Sequence, residues 1–127
     1  MCSNDRDHLI TVMALTITGV VAAMERPLSA NAIMPGCQDA LSQNWSNPFA
    51  GYCLGAVDGI AFGSNIPDSF LQPRAKNSVC LSIPDGVTGV QMIKVVVAYI
   101  DARPARMDEN FHTLALAALR DAWPCGK

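Results

Sequence analysis

The chain has 127 residues, of which 50% are hydrophobic, 16% are charged and 6% are aromatic, and its formal net charge is −2. This length allows for one domain. The low charge excludes an intrinsically disordered chain, and the slightly acidic balance excludes the basic surface of a typical nucleic-acid-binding protein.

The first predicted element is an N-terminal leader. Leu9–Met24 is a run of 16 residues without a charge, Arg6 precedes it, and an Ala30-Asn31-Ala32 pattern follows it. These features predict a signal peptide over residues 1–32 that is cleaved after Ala32, and therefore export. An uncleaved membrane anchor is the alternative, but the run is shorter than the roughly 20 residues that span a bilayer.

Cleavage at this position leaves residues 33–127 as the folded domain, with an even number of cysteines. These are Cys37, Cys53, Cys80 and Cys125. In a small exported chain an even number of cysteines indicates disulfide bonds, here two. A metal site is the alternative, but there is no C-x-x-C pair and His112 lies far from each cysteine in the sequence, so we expect no metal ion and no cofactor.

Two helices are predicted in the first half of the domain. The first is short, about 37–43, and begins after Pro35 and Gly36, with Asp39 near its positive end. The second extends over about 48–63, with Asn47 as its N-cap and Pro48 at its first position.

The second helix carries two lines of residues at helical spacing. The apolar line, which we expect to face the core, consists of Phe49, Tyr52, Cys53, Ala56, Val57 and Ile60. The other line consists of Gly51, Gly55 and Gly59. Because glycine costs a helix about 1 kcal/mol relative to alanine, we predict that a neighbouring helix packs closely on the glycine line. A membrane dimer face is the alternative for this spacing, but Asp58 and other polar residues in the same segment disfavour it.

A long irregular segment, Ser64–Asp85, follows, with one helical turn predicted near Asp68–Leu71. It contains three prolines, and Cys80 lies near its far end. Loops of this length are usually functional or disordered. A disulfide at Cys80 would hold the far end in place, which favours an ordered loop.

Two further helices are predicted after this loop. Thr88 and Gln91 form a capping box at the start of a helix over Thr88–Ala102, although Val95-Val96-Val97 would also suit a strand. The last helix is predicted over Pro104–Trp123, before Pro124. The sequence therefore predicts an all-α fold, a small bundle of about four mostly antiparallel helices with a long loop and two disulfides.

Few residues are candidates for chemistry. His112 with a cysteine would form a nucleophile pair, but disulfide formation competes for every cysteine. Asp58 lies in a mostly apolar helix and could act in acid–base catalysis, pair with an arginine or cap a neighbouring backbone. Trp45 and Trp123 could fill the core, and Trp45, which lies in a loop, could instead be an exposed binding anchor. Since phosphate-loop, G-x-S-x-G and H-E-x-x-H motifs are absent, the spacing alone predicts a small exported helical protein that is not an enzyme.

Three blocks of the sequence resemble the Rap/Tai family of type VI secretion amidase-immunity proteins. The first is the Gly51–Gly59 string GYCLGAVDG. The second is Cys80–Gln91, CLSIPDGVTGVQ, followed by VVVAYI and Pro104, which is similar to the family's "GVT-x-x-Q" segment. The third is Ala117–Cys125, similar to the family's closing "AL-x-x-A-F/W-P-C". Their order and spacing extend over nearly the whole predicted domain.

This resemblance implies a periplasmic helical protein that binds and inhibits a peptidoglycan amidase effector. It also implies a homodimer and the disulfide pairs Cys37–Cys53 and Cys80–Cys125. Nucleic acid, and a membrane after signal cleavage, are not expected as partners.

The expected contact surface is the loop over residues 64–79, because it is long, tethered and rich in residues of exposed type. The candidate partner-binding residues are Asn65, Asp68, Phe70, Arg74 and Lys76. Two other functions remain open, a periplasmic helical binding or stress protein without a toxin partner, and a small hydrolase that uses His112 or Asp58.

Overall fold

Residues 28–64 and 80–126 are described by the computed structural model. Within these ranges the chain forms four α-helices and no strand, which confirms the predicted fold class. The elements are α1 (Ala30–Leu41), α2 (Pro48–Ser64), α3 (Gly89–Asp101), a 3-10 turn (Pro104–Arg106) and α4 (Phe111–Ala122). The most extensive contact between helices is that of α1 with α2, followed by that of α3 with α4.

Helix α1 begins seven residues earlier than the sequence predicts. Ser29 is its N-cap, and its Oγ accepts a hydrogen bond from the backbone N–H of Ala32 at 3.3 Å. Pro35 lies inside the helix instead of before it. Asp39 consequently lies in the last turn of α1, and the prediction that it stabilises the positive N-terminus of this helix was wrong. Its carboxylate instead accepts a hydrogen bond from Asn47 Nδ2 at 2.8 Å.

Helix α2 has the predicted position, and of the predicted apolar line Cys53 and Val57 are buried while Ala56 and Ile60 are partly buried against the core. Asn47 Oδ1 accepts from the backbone N–H of Phe49 at 2.9 Å, as expected of the N-cap. The buried line of α2 is Ala50, Cys53, Val57 and Ala61. Phe49 and Tyr52, which the spacing assigned to the core, are exposed. Both lines have helical spacing, so the spacing did not decide which of them faces inward.

Helix α3 follows a tight turn and has the predicted capping box. Gly86 has a φ of +89°, a left-handed conformation that suits glycine, and the backbone N–H of Val87 donates to Pro84 O at 3.3 Å. Thr88 Oγ1 accepts from the backbone N–H of Gln91, and Gln91 Oε1 accepts from the backbone N–H of Thr88. The helix that this capping box begins includes Val95, Val96 and Val97, the residues that would also have suited a strand.

The last predicted helix is divided in the structure. Pro104 starts a 3-10 turn, and α4 begins only after Asn110, whose Oδ1 accepts from the backbone N–H groups of His112 and Thr113. From the end of the 3-10 turn, Arg106 donates two hydrogen bonds of 2.8 Å to the carboxylate of Glu109, which lies before α4. These hydrogen bonds hold the pKa of Glu109 below, and that of Arg106 above, its ordinary value.

The core lies between the four helices and contains apolar side chains from each of them. Among the described residues no polar or charged side chain is buried. The core is mainly aliphatic, and Phe111 at the start of α4 is the aromatic ring within it. The partly buried Trp123, after α4, packs against its edge.

Two glycines allow close approach between elements, and neither belongs to the predicted glycine line. A Cβ on Gly36 of α1 would clash with the backbone of Phe49. A Cβ on Gly89 would lie 2.6 Å from Leu54 Cδ1 and 2.9 Å from Asp58 Oδ1. In contrast, a Cβ placed on Gly51, Gly55, Gly59 or Gly63 would have no described atom within 4 Å apart from its own stretch of α2. The prediction of a helix packed on the glycine line was therefore wrong for the described part of the chain.

Candidate functional site

The predicted binding loop lies almost wholly outside the described residues. Asn65, Asp68, Phe70, Arg74 and Lys76, and the predicted turn at 68–71, all fall within 65–79. The structure describes the two ends from which this loop extends. Ser64 closes α2 with its Oγ donating to Ala61 O at 2.7 Å, and Cys80 is bonded to Cys125. The loop therefore leaves from the end of α2 and returns beside the segment after α4.

Both disulfide bonds are formed in the pairing that the resemblance implies. Cys37–Cys53 joins α1 to α2 with a Cα–Cα distance of 5.3 Å, and both cysteines are fully buried. Cys80–Cys125, with a Cα–Cα distance of 5.5 Å, joins the segment before α3 to the segment after α4. None of these four cysteines has a free thiol, so the Cys–His pair considered from the sequence is not formed.

The residues of the three sequence blocks meet at two places in the fold. Asp58 of the first block lies at Gly89 of the second, at the N-terminus of α3. Leu81 of the second block forms an isolated β-bridge with Pro124 of the third, and the backbone N–H of Ser82 donates to Trp123 O at 3.0 Å. These block residues connect elements of the fold, so their described contacts are structural.

The position of Asp58 agrees with one of the three roles considered for it. Its side chain is exposed and lies beside the first residue of α3, not beside a buried arginine. The N-terminus of a helix carries unpaired N–H groups and a partial positive charge, which a nearby carboxylate stabilises. Asp58 is thus placed to stabilise the start of α3 across the interface with α2.

His112 lies on the exposed flank of α4, and its ring contacts an aromatic side chain of α2. Tyr52 Oη is 3.1 Å from His112 Nε2, and the two ring centroids are 5.8 Å apart in an edge-to-face arrangement. The buried ring of Phe111 lies against the same imidazole. With these partners, His112 and Tyr52 connect α4 to α2 at the surface.

Four large apolar side chains remain exposed in the described part of the chain, namely Trp45, Phe49, Tyr52 and Phe62. Trp45 is 50% exposed, which fits its suggested role as a surface anchor, and Phe62 is 74% exposed. Phe62 lies three residues before Asn65, next to the predicted binding loop. Phe62 was not among the residues predicted to bind a partner. Its position three residues after Gly59 on the open side of α2 was the available signal.

Residues 28–64 and 80–126 contain neither a candidate metal site nor a candidate membrane span. No group of three or more His, Cys, Asp or Glu side chains there is arranged to hold a metal ion. None of the helices within these ranges has the length and hydropathy that a membrane span requires.

A family model described as Rap1a immunity proteins matches residues 29–125. The chain belongs to this family. The match covers most of the chain, beginning at the N-cap Ser29 and ending at Cys125, and thus includes all four helices and both disulfides. No curated protein and no solved structure matches the chain. Membership of the Rap1a immunity family therefore rests on the family model, and the geometry above is that of this member alone.

Proposed function

We propose that this member of the Rap1a immunity family binds and inhibits a peptidoglycan amidase effector of type VI secretion in the periplasm. The observation that carries the proposal is the family match over residues 29–125. In this function the protein is a non-enzymatic inhibitor that blocks the active-site groove of its partner and protects the cell that makes it.

The two disulfides support action in the periplasm. Disulfides form and persist in oxidising compartments such as the bacterial periplasm and are rare in the cytosol. Cys37–Cys53 is fully buried between α1 and α2. An export leader, predicted within residues 1–32, would deliver the chain to the compartment in which this pair can oxidise.

The contact surface that we propose is the loop over residues 65–79, with Phe62 at its base. Both ends of this loop are anchored, one in α2 and the other by Cys80–Cys125. Anchored ends reduce the conformational entropy that a loop loses when it is ordered against a partner. An exposed aromatic ring beside a charged loop is typical of binding hot spots, in which aromatic and arginine side chains dominate.

Co-expression tests the inhibition directly. The product of the adjacent gene, if it is an amidase of the NlpC/P60 type, is sent to the periplasm of a Gram-negative host with or without this chain. We expect lysis without the chain and survival with it. Unchanged lysis would contradict the proposal and would favour the alternative of a periplasmic helical protein without a toxin partner.

A matched pair of charge reversals locates the contact surface. Arg74→Glu lies in the loop, whereas Lys94→Glu lies on the exposed side of α3. We expect R74E to weaken effector binding about tenfold or more, and K94E to leave it unchanged. Equal binding by both variants would exclude the loop as the contact surface without excluding inhibition.

We also propose that the protein is a homodimer. Light scattering of the purified periplasmic protein would then give twice the mass of one processed chain. A single-chain mass over the working concentration range would contradict this part of the proposal.

A further inference from the structure

The N-terminal edge of the fold is formed by Leu28–Asn31, which bonds along the turn before α4. The backbone N–H of Phe111 donates to Leu28 O, that of Ala30 to Glu109 O, and that of Asn31 to Met107 O, each at 2.9 Å. The side chains add a fourth connection, in which Asn31 Nδ2 donates to Asp108 Oδ1 at 2.9 Å. Ala30 itself is fully buried in the core.

Cleavage after Ala32 would remove every one of these contacts. The chain would lose the N-cap Ser29 and most of the first turn of α1, and the backbone N–H of the buried Phe111 would lose its acceptor. The family match also begins at Ser29, so residues 29–32 lie within the range that the family model matches. A leader that ends at Ala32 would therefore remove residues whose contacts hold the described fold together.

The sequence offers another cleavage site before this edge. Between residues 20 and 28 only Ala22 and Ala23 are small. A cut after Ala23 has alanine at the last two leader positions and Val21 at the third, and it follows an uncharged run, Leu9–Val21, of ordinary length for a signal peptide. It also leaves Glu25 and Arg26 in the mature protein together with Pro27, so that no charge follows the uncharged run within the leader.

We infer that a signal peptidase cleaves this chain between Ala23 and Met24, upstream of the folded domain. Water hydrolyses the amide bond, so that Ala23 ends as a carboxylate on the released leader and Met24 begins the mature chain with a free amino group. The mature chain then contains residues 24–127, keeps the whole edge that contacts the turn before α4, and loses Cys2. This inference rests on the export that is part of the proposed function.

The experiment is to express the full chain in a Gram-negative host and to measure the intact mass and N-terminal sequence of the periplasmic protein. We expect a single chain that begins at Met24. A chain that begins at Ile33 or at any other residue, or an unprocessed chain, would overturn the inference.

A matched pair of variants tests the same bond independently. Ala22→Gln with Ala23→Gln removes both small residues of the proposed site, and we expect the unprocessed precursor to accumulate. Ala32→Gln changes an exposed residue on α1, and we expect normal processing. Normal processing of the double variant, or loss of processing in A32Q, would overturn the inference.

The thermal stability of two purified chains tests whether the contacts of Leu28–Asn31 stabilise the fold. A chain that begins at Met24 should melt cooperatively, and a chain that begins at Ile33 should melt at least roughly 5 °C lower because it lacks the cap and the bonded edge. Equal melting temperatures would overturn the argument from the fold.

No effector is present in these measurements, so their outcome is separate from protection. An exported chain that is cut elsewhere contradicts only the cleavage site. A chain that stays unprocessed in the cytoplasm also contradicts the proposed action in the periplasm.

Discussion

The two sides of α2 differ in how glycine is used near them. On the packed side, Gly36 of α1 and Gly89 at the start of α3 are closely approached by α2, and a methyl group on either would meet atoms of α2. On the open side, Gly51, Gly55 and Gly59 recur every four residues, and a Cβ on any of them would meet no described atom outside its own stretch of α2 within 4 Å. The regularly spaced glycines thus lie on the side of α2 that has no described neighbour. The close contacts of α2 with α1 and α3 depend instead on two isolated glycines, Gly36 and Gly89.

This difference shows why spacing within one helix is a weak guide to its neighbours. A glycine is needed where two backbones approach, and that point depends on the crossing of two elements that are distant in the sequence. Gly36 lies one residue before the buried Cys37. The Cys37–Cys53 disulfide and the contact of Gly36 with Phe49 therefore hold α1 against α2 at neighbouring positions along α1.

The largest expected effect is that of Gly36→Ala. The added methyl group would overlap the backbone of Phe49, which cannot move without shifting the first turn of α2. We expect a loss of about 3 kcal/mol or more in the free energy of unfolding, measured by urea denaturation of the oxidised protein. A variant as stable as the parent would show that α1 and α2 do not approach closely at Gly36 and Phe49.

Gly89→Ala should have a smaller effect, because the atoms nearest to the added methyl group belong to the flexible ends of Leu54 and Asp58. We expect a loss of about 1–2 kcal/mol in the same measurement. Shortening Leu54 to alanine in the same chain should recover part of this loss. A double variant whose loss equals the sum of the two single losses would contradict the proposed contact.

Gly55→Ala and Gly59→Ala test the open side of α2. Because each Cβ would enter open space among the described residues, the helix gains propensity at no packing cost. We expect an increase of about 0.5–1 kcal/mol in the free energy of unfolding for each variant. A decrease would indicate that another surface, from the loop or from a second chain, packs on this side.

The smallest effect should be that of Asp58→Asn, which removes the carboxylate charge beside the start of α3 but keeps the size of the side chain. We expect a loss of about 0.3–1 kcal/mol that decreases with added salt. Asp101→Asn is the matched control, since Asp101 is exposed at the other end of α3, where a negative charge is unfavourable. Equal losses for the two variants would exclude the helix-terminus effect.

The sequence predicted those parts of the fold that carry local signals. Asn47 before Pro48, and Thr88 with Gln91, are caps whose partners lie within three residues, and the structure confirms both helix starts. The start of α1 was wrong because Ser29 was assigned to the leader. The division before α4 was missed because Asn110, its N-cap, was placed within a continuous apolar pattern.

The interactions between elements were harder to predict than the helices themselves. The contact of Asp58 with Gly89 and that of Tyr52 with His112 join residues that are far apart in the sequence, and no periodic pattern encodes them. The disulfide pairing was implied by the family resemblance, since four cysteines alone allow three pairings. The predicted partner-binding residues within 65–79 stay a prediction.

The most direct test of the account is a titration of the purified oxidised protein against the product of the adjacent gene, if that product is a peptidoglycan amidase, with hydrolysis of purified peptidoglycan as the readout. We predict that hydrolysis falls with each addition and stops near one chain of this protein per amidase. Gly55→Ala, on the open side of α2, should inhibit equally well. An unchanged rate of hydrolysis at a tenfold excess of the protein would contradict the proposed immunity function.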